Sequence, residues 1–329
     1  MNKELPTISI VMPVFNEESK IERCLKSIRE QDYPKEKIEI VFVDDDSTDK
    51  TIEIAKKFKI KIVRNGKHDY DIGKSLGIQN SKGEYIMFLD ADNFLTTKDW
   101  IRRMISPLLD YQDIVGAQPI WFKYNPEDSF FDRYCTLFGI TDPLTIYLNK
   151  RSALMLWEKK WKVGLIKEEK DYFIAQFNKK ILPTIGSVGF IIKKSLLLKT
   201  DYKPAFSHLD CMQDLISQGY NKFAMVKLDI IHLHSRNFKD FIEKLKRNFD
   251  IFARDFDKRR YKWESSIGEK IFTSLIMATF IIPFYHSLRG YIKIKDMAWF
   301  AHPFICFIVI AMYGKMYLKW QLRSKISLF

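Results

Sequence analysis

Between residues 8 and 117, short apolar runs alternate with stretches of helical periodicity, and this alternation leaves few folds open. Residues 8–12 (ISIVM) read as a buried strand stopped by Pro13, and residues 38–43 (IEIVFV) as a second. Residues 60–63, 85–89 (YIMFL) and 113–117 supply three more. Between the first two, Ile21, Cys24, Leu25 and Ile28 recur at the spacing of one helical face. Residues 51–58, 71–80 and 98–109 read as further helices. Asn16 is placed to cap the first helix, with Glu17 and Glu18 in its first turn, where the helix dipole favours negative charge. Strands separated by helices of about 10–15 residues build βαβ units and a mostly parallel sheet. Ligands of such sheets bind beyond the carboxyl ends of the strands.

Two acidic clusters fall at those ends. Asp44, Asp45, Asp46 and Asp49 put four carboxylates in six residues after the second strand. They repel one another and need cations, backbone donors or water. The plain alternative is a solvated turn that caps the helix at Thr51. Asp90-Ala91-Asp92 follows the YIMFL strand. On an extended backbone residues i and i+2 point the same way, so both carboxylates can hold one divalent cation. Hard oxygen ligands suit Mg²⁺ or Mn²⁺. A lone DxD is common by chance, but two acidic clusters at neighbouring strand ends carry more weight. The sequence has no GxxxxGK[ST] phosphate loop and no GxGxxG after its first strand. Glu17 and Glu18 would repel a phosphate from the first helix, so a diphosphate would need a metal and side-chain cations.

The second half is less regular. Residues 118–182 are rich in Trp, Tyr, Phe and Lys and read as an insertion that packs over the sheet or contacts an acceptor. Strand patterns return at 187–192, 222–226 and 230–234, with a helix near 211–218. Residues 238–256 read as a basic amphipathic helix. Residues 271–288 and 297–314 are each 18 residues free of Asp, Glu, Lys and Arg, interrupted by Pro283 and His286 in the first and by His302 and Pro303 in the second. Each is near the lower limit of about 17–25 residues for a spanning helix. Basic flanks at Lys258, Arg259, Arg260, Lys262 and Lys270, and at Lys315, Lys319, Arg323 and Lys325, predict a hairpin with both ends cytoplasmic. A pair of helices lying in the interface and a buried helical pair are the alternatives.

Charge supports the membrane reading. The net charge is +13, yet residues 1–113 hold 19 Lys and Arg against 21 Asp and Glu, so the excess lies behind them. That excess sits beside the apolar stretches and comes without an RNP1 or GXXG signature, which favours membrane lipids over nucleic acid as partner. Cys24, Cys135, Cys211 and Cys306 are scattered with no CxxC pair, as small apolar fillers in a reducing compartment. Residues 1–4 lead directly into the first strand, and no signal peptide is expected.

Together, ISIVMPVFNEE (8–18), IEIVFVDDDSTDKT (38–51) and GKSLGIQNSKGEYIMFLDADN (73–93), in this order and spacing, resemble the nucleotide-binding half of glycosyltransferase family 2. The resemblance implies the GT-A fold: an α/β, Rossmann-like, mostly parallel mixed sheet flanked by helices, here with C-terminal membrane-associated helices. The family's second-strand motif is VDDGSTD, and Asp46 stands where glycine is usual. The resemblance further implies that Pro13, Phe15 and Glu17 line a nucleotide pocket and that Asp44 or Asp45 hydrogen-bonds the base, uracil being the expected one. It puts Lys74 near a diphosphate, Asp90 on the sugar or ribose, and Asp92 on a metal that Asp90 helps to hold. In the second half the family's GFLIRR strand, acid and KGY helix match residues 187–194, 208–210 and 218–220 less closely. Asp210 falls at the catalytic-base position with Leu209 in place of the preceding acid; Asp214 is a backup one turn later, and the plain reading of Asp210 is a helix N-cap. His234, or His232, would complete the metal shell. The QxxRW of processive members is missing, and Arg247 in that stretch is read as a contact for diphosphate or lipid phosphate.

The implied organisation is a GT-A domain over 1–235, with the nucleotide-sugar half at 1–117 and an acceptor half at 118–235, then a basic helix at 236–265 and a hydrophobic hairpin at 266–329. The implied reaction is inverting transfer from a nucleotide-diphosphate sugar to a lipid-linked saccharide at the cytoplasmic face of a membrane. A polyprenyl-phosphate sugar synthase and a non-catalytic membrane scaffold are the alternatives.

Overall fold

The computed structural model of the chain describes residues 4–261 and 266–326. In chain order the elements are β1 (Ile8–Val14), α1 (Ile21–Arg29), β2 (Ile38–Asp44), α2 (Thr51–Lys57), β3 (Lys61–Arg64), α3 (Tyr70–Asn80), β4 (Tyr85–Phe88), β5 (Asn93–Leu95), α4 (Trp100–Asp110) and β6 (Ile114–Phe122). Then come α5 (Phe130–Phe138), α6 (Leu144–Tyr147), β7 (Leu165–Glu168), β8 (Tyr172–Gln176), β9 (Phe190–Lys193), α7 (Lys194–Leu197), α8 (His208–Ser217) and β10 (Lys222–His232). The last four are α9 (Phe238–Arg254), α10 (Ile267–Ala278), α11 (Ile281–Lys293) and α12 (His302–Ile326). They form two compact units. One takes the chain up to Lys123 and Trp161–Leu233; the other takes Tyr124–Lys160 and the chain from His234 onward.

The first unit is built on one mixed sheet of ten strands, in the order β3-β2-β1-β4-β9-β6-β10-β8-β7, with β5 paired to β10. Strands β1 to β4 run parallel to their neighbours in this group, and β9 lies antiparallel between β4 and β6. The expected helical face of α1 is the buried one: Ile21, Cys24, Leu25 and Ile28 are all covered. Strand β1 does not stop at Pro13 but runs on to Val14, opposite Asp44. Val11 accepts from Leu89 and Val14 from Asp45, so Pro13 faces the β4 side, where the ladder has already ended at Phe88. A proline lacks the donor it would need only where a partner strand exists.

Two further departures have physical causes. Residues 222–232 form one strand where two are expected, because the polar stretch at Lys227 and Asp229 is a bulge and not a turn. The carbonyl of Asp229 there is satisfied by Trp100 Nε1 at 2.8 Å and Thr96 Oγ1 at 3.0 Å. Part of the stretch expected as an insertion is sheet: β8 pairs with β10, whereas residues 124–160 belong to the second unit.

The turn into β4 is packed against β1 without slack. A Cβ added at Gly83 would lie 2.5 Å from the Ser9 nitrogen and 2.8 Å from the Ile8 carbonyl carbon, which are backbone and cannot swing away. Gly83→Ala is therefore expected to destabilise the fold by about 1–3 kcal/mol. A lowered urea midpoint is the readout, and an unchanged midpoint would contradict this close approach.

The core of the second unit includes Tyr134, Leu137, Phe138, Phe241, Leu245, Trp299, Ile305 and Val309. The first apolar stretch is not one helix. It breaks at Thr279 and Phe280, where Phe280 adopts the left-handed conformation (φ 61°), and the segments on either side are bent by 61°. The second stretch opens with a 3₁₀ turn at Met297–Ala301 and continues as α12. Among the described residues, the helical segment Met297–Gln321 is long and apolar enough to cross a membrane.

Candidate active site

The carboxyl ends of β1 and β2 come together first. Asp44, nearly buried, receives the Ser47 amide at 3.3 Å. The amide of Asp45 donates to Val14, and its carboxylate receives the His68 amide at 2.8 Å. Asp46 pairs with Arg64 at 2.6 Å, and that guanidinium holds its carboxyl below the ordinary range. The crowded acids are thus satisfied separately, by backbone amides and one arginine. Asp46 sits at φ 62°, the backbone region that explains why glycine is the usual residue there. Asp46→Gly is expected to melt higher than Asp46→Ala, by about 1 kcal/mol, since only the alanine pays for a left-handed Cβ. Equal melting temperatures would count against the strained turn. Phe15 is half-exposed with its ring edge-on to His68 at 6.0 Å, and Pro13 packs against α3 at Gly73, where a Cβ would meet its own Cβ at 3.3 Å.

Asn16 does not cap α1. It takes φ 53°, and the helix starts at Ile21 after Lys20, which makes no side-chain cap bond. Instead the β1–α1 loop clasps the β2–α2 loop. Asn16 Oδ1 accepts from Thr48 N (2.8 Å), the Glu17 amide donates to Thr51 Oγ1 (2.8 Å), and Glu18 Oε2 accepts from Lys50 N (2.9 Å). The carboxylate of Glu18 therefore faces the start of α2, where the dipole still favours it.

Helix α3 brings a cation and a phenol to the end of β4. Asp69 caps it by accepting from the amides of Asp71 and Ile72. Tyr70, its first residue, donates its hydroxyl to Asp90 Oδ1. One turn on, Lys74 is almost wholly buried; its Nζ lies 4.3 Å from the Tyr70 ring centre and 3.1 Å from Ser187 Oγ. Burial pushes its pKa down, while Asp90 and Asp71 oppose that. A buried ammonium whose burial the nearby carboxylates only oppose weakens the fold. Lys74→Met is expected to melt no lower than wild type without ligand, yet to weaken diphosphate binding by about 10–100-fold, the worth of a charged hydrogen bond. Isothermal titration with a nucleoside diphosphate checks this. Tyr70 escapes the sequence reading because α3 begins one residue before its expected start; its i, i+4 relation to Lys74 was the signal available.

Asp90 and Asp92 are not on extended backbone. Asn93 N bonds back to the Asp90 carbonyl at 3.0 Å in a tight turn, so the same-side argument for the two carboxylates does not hold. What places Asp92 is the pairing of β5 with β10, in which Asn93 lies opposite His232. Asp92 Oδ1 accepts from Asn93 Nδ2 at 2.9 Å and lies 3.9 Å from His232 Nε2. His234 falls beyond the end of β10, in the second unit, with its Nδ1 2.7 Å from Ser235 Oγ; of the two histidines expected for a metal shell, His232 is the one beside Asp92. Arg247 also belongs to the second unit, on α9, beside Glu243, Lys246, Asp250 and Arg254.

Asp210 is buried in the first turn of α8 as its third residue, while Ser207 holds the N-cap position. It is therefore not the cap. Phe206 ties this segment to α3 by donating its amide to the Asp71 carbonyl at 2.8 Å, and its ring stacks on Phe88. Asp214 is engaged elsewhere, accepting from the Asp201 amide at 3.1 Å.

Among the described residues no three His, Cys, Asp or Glu converge tightly enough to hold an ion unaided. Asp90, Asp92 and His232 nonetheless fit Mg²⁺ or Mn²⁺, which take one or two carboxylates and draw their remaining oxygens from substrate phosphates and water.

Residues 9–161 match the sequence profile of glycosyl transferase family 2. Over these residues the chain carries a glycosyl transferase family 2 sequence. Glycosyltransferase AglE of Haloferax volcanii is 31% identical over 141 residues, which cover 41% of this chain and 46% of that protein. A dolichyl N-acetyl-alpha-D-glucosaminyl phosphate 3-beta-D-2,3-diacetamido-2,3-dideoxy-beta-D-glucuronosyltransferase of Methanococcus voltae is 35% identical over 119 residues, 34% of this chain and 36% of that one. The chain thus spans less than half the length of these relatives. Mannosyltransferase PcManGT from Pyrobaculum calidifontis, solved in complex with GDP-Man and Mn²⁺, superposes with a TM-score of 0.53 at 14% identity, covering 98% of this chain and 84% of that one. That likeness is one of fold, and the family 2 domain has the mixed α/β sheet of the GT-A fold. Its acidic loops after β2 and β4 and its buried Lys74 all lie within the matched residues.

Proposed function

We propose that the chain is an inverting glycosyltransferase that moves a sugar from a nucleotide-diphosphate donor, a UDP-sugar, to a lipid-linked saccharide at the cytoplasmic face of a membrane. The observation that carries this reading is the grouping of Lys74, Tyr70, Asp90, Asp92 and His232 around the end of β4. Pro13, Phe15 and Glu17 line the nucleotide, and Asp44 or Asp45 takes the base. Lys74 sits where a diphosphate needs a cation, and Asp90 meets the sugar or ribose. Asp92, Asp90 and His232 are the residues that would hold Mg²⁺ or Mn²⁺, whose charge offsets that of the departing diphosphate. In this reading residues 1–117 serve the donor and residues 118–235 the acceptor.

The acceptor hydroxyl gives its proton to Asp210 as its oxygen bonds to the anomeric carbon. The bond from that carbon to the diphosphate oxygen breaks on the opposite face, and its electron pair leaves with the nucleoside diphosphate. Attack and departure on opposite faces invert the configuration. The membrane acceptor is supported by the basic, aromatic residues behind the domain and by the lipid-linked substrate in the name of the Methanococcus voltae relative.

The test uses the protein in detergent with Mn²⁺ or Mg²⁺ and a set of UDP- and GDP-sugars, with and without membrane lipid extract. Lipid-stimulated release of nucleoside diphosphate is expected. No release from any donor, together with no metal-dependent nucleotide binding, overturns the proposal in favour of a non-catalytic scaffold.

A further inference from the structure

We infer that the second unit attaches to an anionic bilayer from one side, lying in the interface with the break between α10 and α11 dipped into the acyl region, and does not thread the bilayer as a spanning hairpin. This deepens the membrane attachment proposed above, and three observations carry it.

The first is the bend. Helices α10 and α11 have 12 and 13 residues, about 18–20 Å each at 1.5 Å per residue, well short of the roughly 30 Å hydrocarbon core. They join at 61° through the left-handed Phe280. Laid shallow in the interface, a pair bent by 61° dips at its break and returns the chain to the surface it entered.

The second is what covers α12. At 25 residues it is long enough to cross, at about 37 Å. Its inner face, however, is held by α5 and α6 through polar bonds. His302 is bonded at 2.9 Å on each ring nitrogen, to the hydroxyls of Tyr134 and Tyr147, and Tyr313 donates to Asp142 Oδ2 at 2.6 Å. The same body contains the ion pairs Arg151–Glu158 (2.7 Å) and Arg133–Asp296 (2.8 Å). Threading α12 would carry Asp142, which Tyr313 holds against it, into hydrocarbon, where an ionisable group is expensive.

The third is the outer face. Phe272, Leu275, Ile281, Phe284, Phe304 and Phe307 are exposed. Phe280 packs on Phe304 at 5.6 Å and on Phe307 at 5.7 Å, so the break and the start of α12 make one apolar tip. Exposed Lys293 and Lys295 stand at and just past the end of α11, and exposed Lys315 and Lys319 on the second half of α12. The two segments of this unit hold 23 Lys and Arg against 13 Asp and Glu, a net charge of +10. An apolar face with a basic surround matches an anionic lipid surface, which takes the side chains into its acyl layer and the cations at its head groups.

The experiment adds the full chain to preformed phosphatidylcholine vesicles with and without phosphatidylglycerol. All four native cysteines are buried, so Lys295→Cys and Lys319→Cys can each be labelled from outside with a membrane-impermeant thiol reagent. Expected are binding to the anionic vesicles, weakened about tenfold or more by high salt, and outside labelling of both positions. The double variant Phe304→Ser, Phe307→Ser, at exposed sites, should bind about tenfold or more weakly while keeping its melting temperature. Labelling of Lys319→Cys only after detergent means a spanning α12 and overturns the inference while leaving attachment intact. No vesicle binding, or equal binding to neutral and anionic vesicles, overturns both; donor turnover in detergent reports on the transferase reading separately.

Discussion

Asp92→Ala should lower donor turnover by about a thousandfold or more. A divalent cation at a diphosphate leaving group is worth several kcal/mol of charge stabilisation, and each 1.36 kcal/mol is about a factor of ten in rate. The comparison that decides the cause is Asp92→Asn. Asp92 Oδ1 also receives Asn93 Nδ2 at 2.9 Å, and an asparagine keeps that acceptor while losing the charge. If Asp92 works through a cation, both variants fall together, chelator abolishes wild-type turnover, and Mn²⁺ restores it in wild type alone. Near-normal turnover in Asp92→Asn would mean that the residue only shapes the turn beside β5. Intrinsic melting of both variants, within a degree or two of wild type, keeps the comparison about chemistry.

Asp210→Asn should cost about 10²–10⁴-fold in kcat, the range for a general base at a hydroxyl nucleophile, with donor KM little changed. The residue is buried in the first turn of α8 and is not its cap, so an isosteric amide leaves the helix start intact. The effect should depend on the acceptor. A phosphate acceptor is already an anion and needs no base, so a variant that still turns over with polyprenyl phosphate would identify a polyprenyl-phosphate sugar synthase. Asp214→Asn is the contrasting case. Its carboxylate holds the Asp201 amide, and the expected loss is stability, not turnover.

The first 117 residues are legible in the sequence because their signals are local. The apolar runs at 8–12, 38–43 and 85–89 needed only a strand's periodicity, and Ile21, Cys24, Leu25 and Ile28 announced the buried face of α1 without help from the rest of the chain. What was not legible depends on long-range pairing. That His232 lies against Asp92 follows from β5 lying antiparallel to β10, with His232 opposite Asn93, 139 residues earlier in the chain. Nothing local to Asp92 encodes it. The same pairing ends β10 before His234, which no pattern within His232-Leu233-His234 foretells. Asn16 misled for a related reason. Its side chain is suited to a helix cap, but Thr48 across the loop competes for the same oxygen and wins. Residues 222–234 read as two strands because polar residues inside a strand look like an interruption until a tryptophan from α4 is seen to satisfy the freed carbonyl of Asp229.

The bonds that run from Asn16, Glu17 and Glu18 to Thr48, Thr51 and Lys50 make two distant stretches of sequence a single inheritable cassette. An exchange of residues 16–18 with those of another family member removes the acceptors Asn16 Oδ1 and Glu18 Oε2 and strands the Thr48 and Lys50 amides, and an exchange of the other loop that loses Thr51 strands the Glu17 amide. Donor-specificity swaps built from one loop alone would thus fail for reasons unrelated to the sugar. Chimeras that move both loops together carry the clasp as one transplantable part.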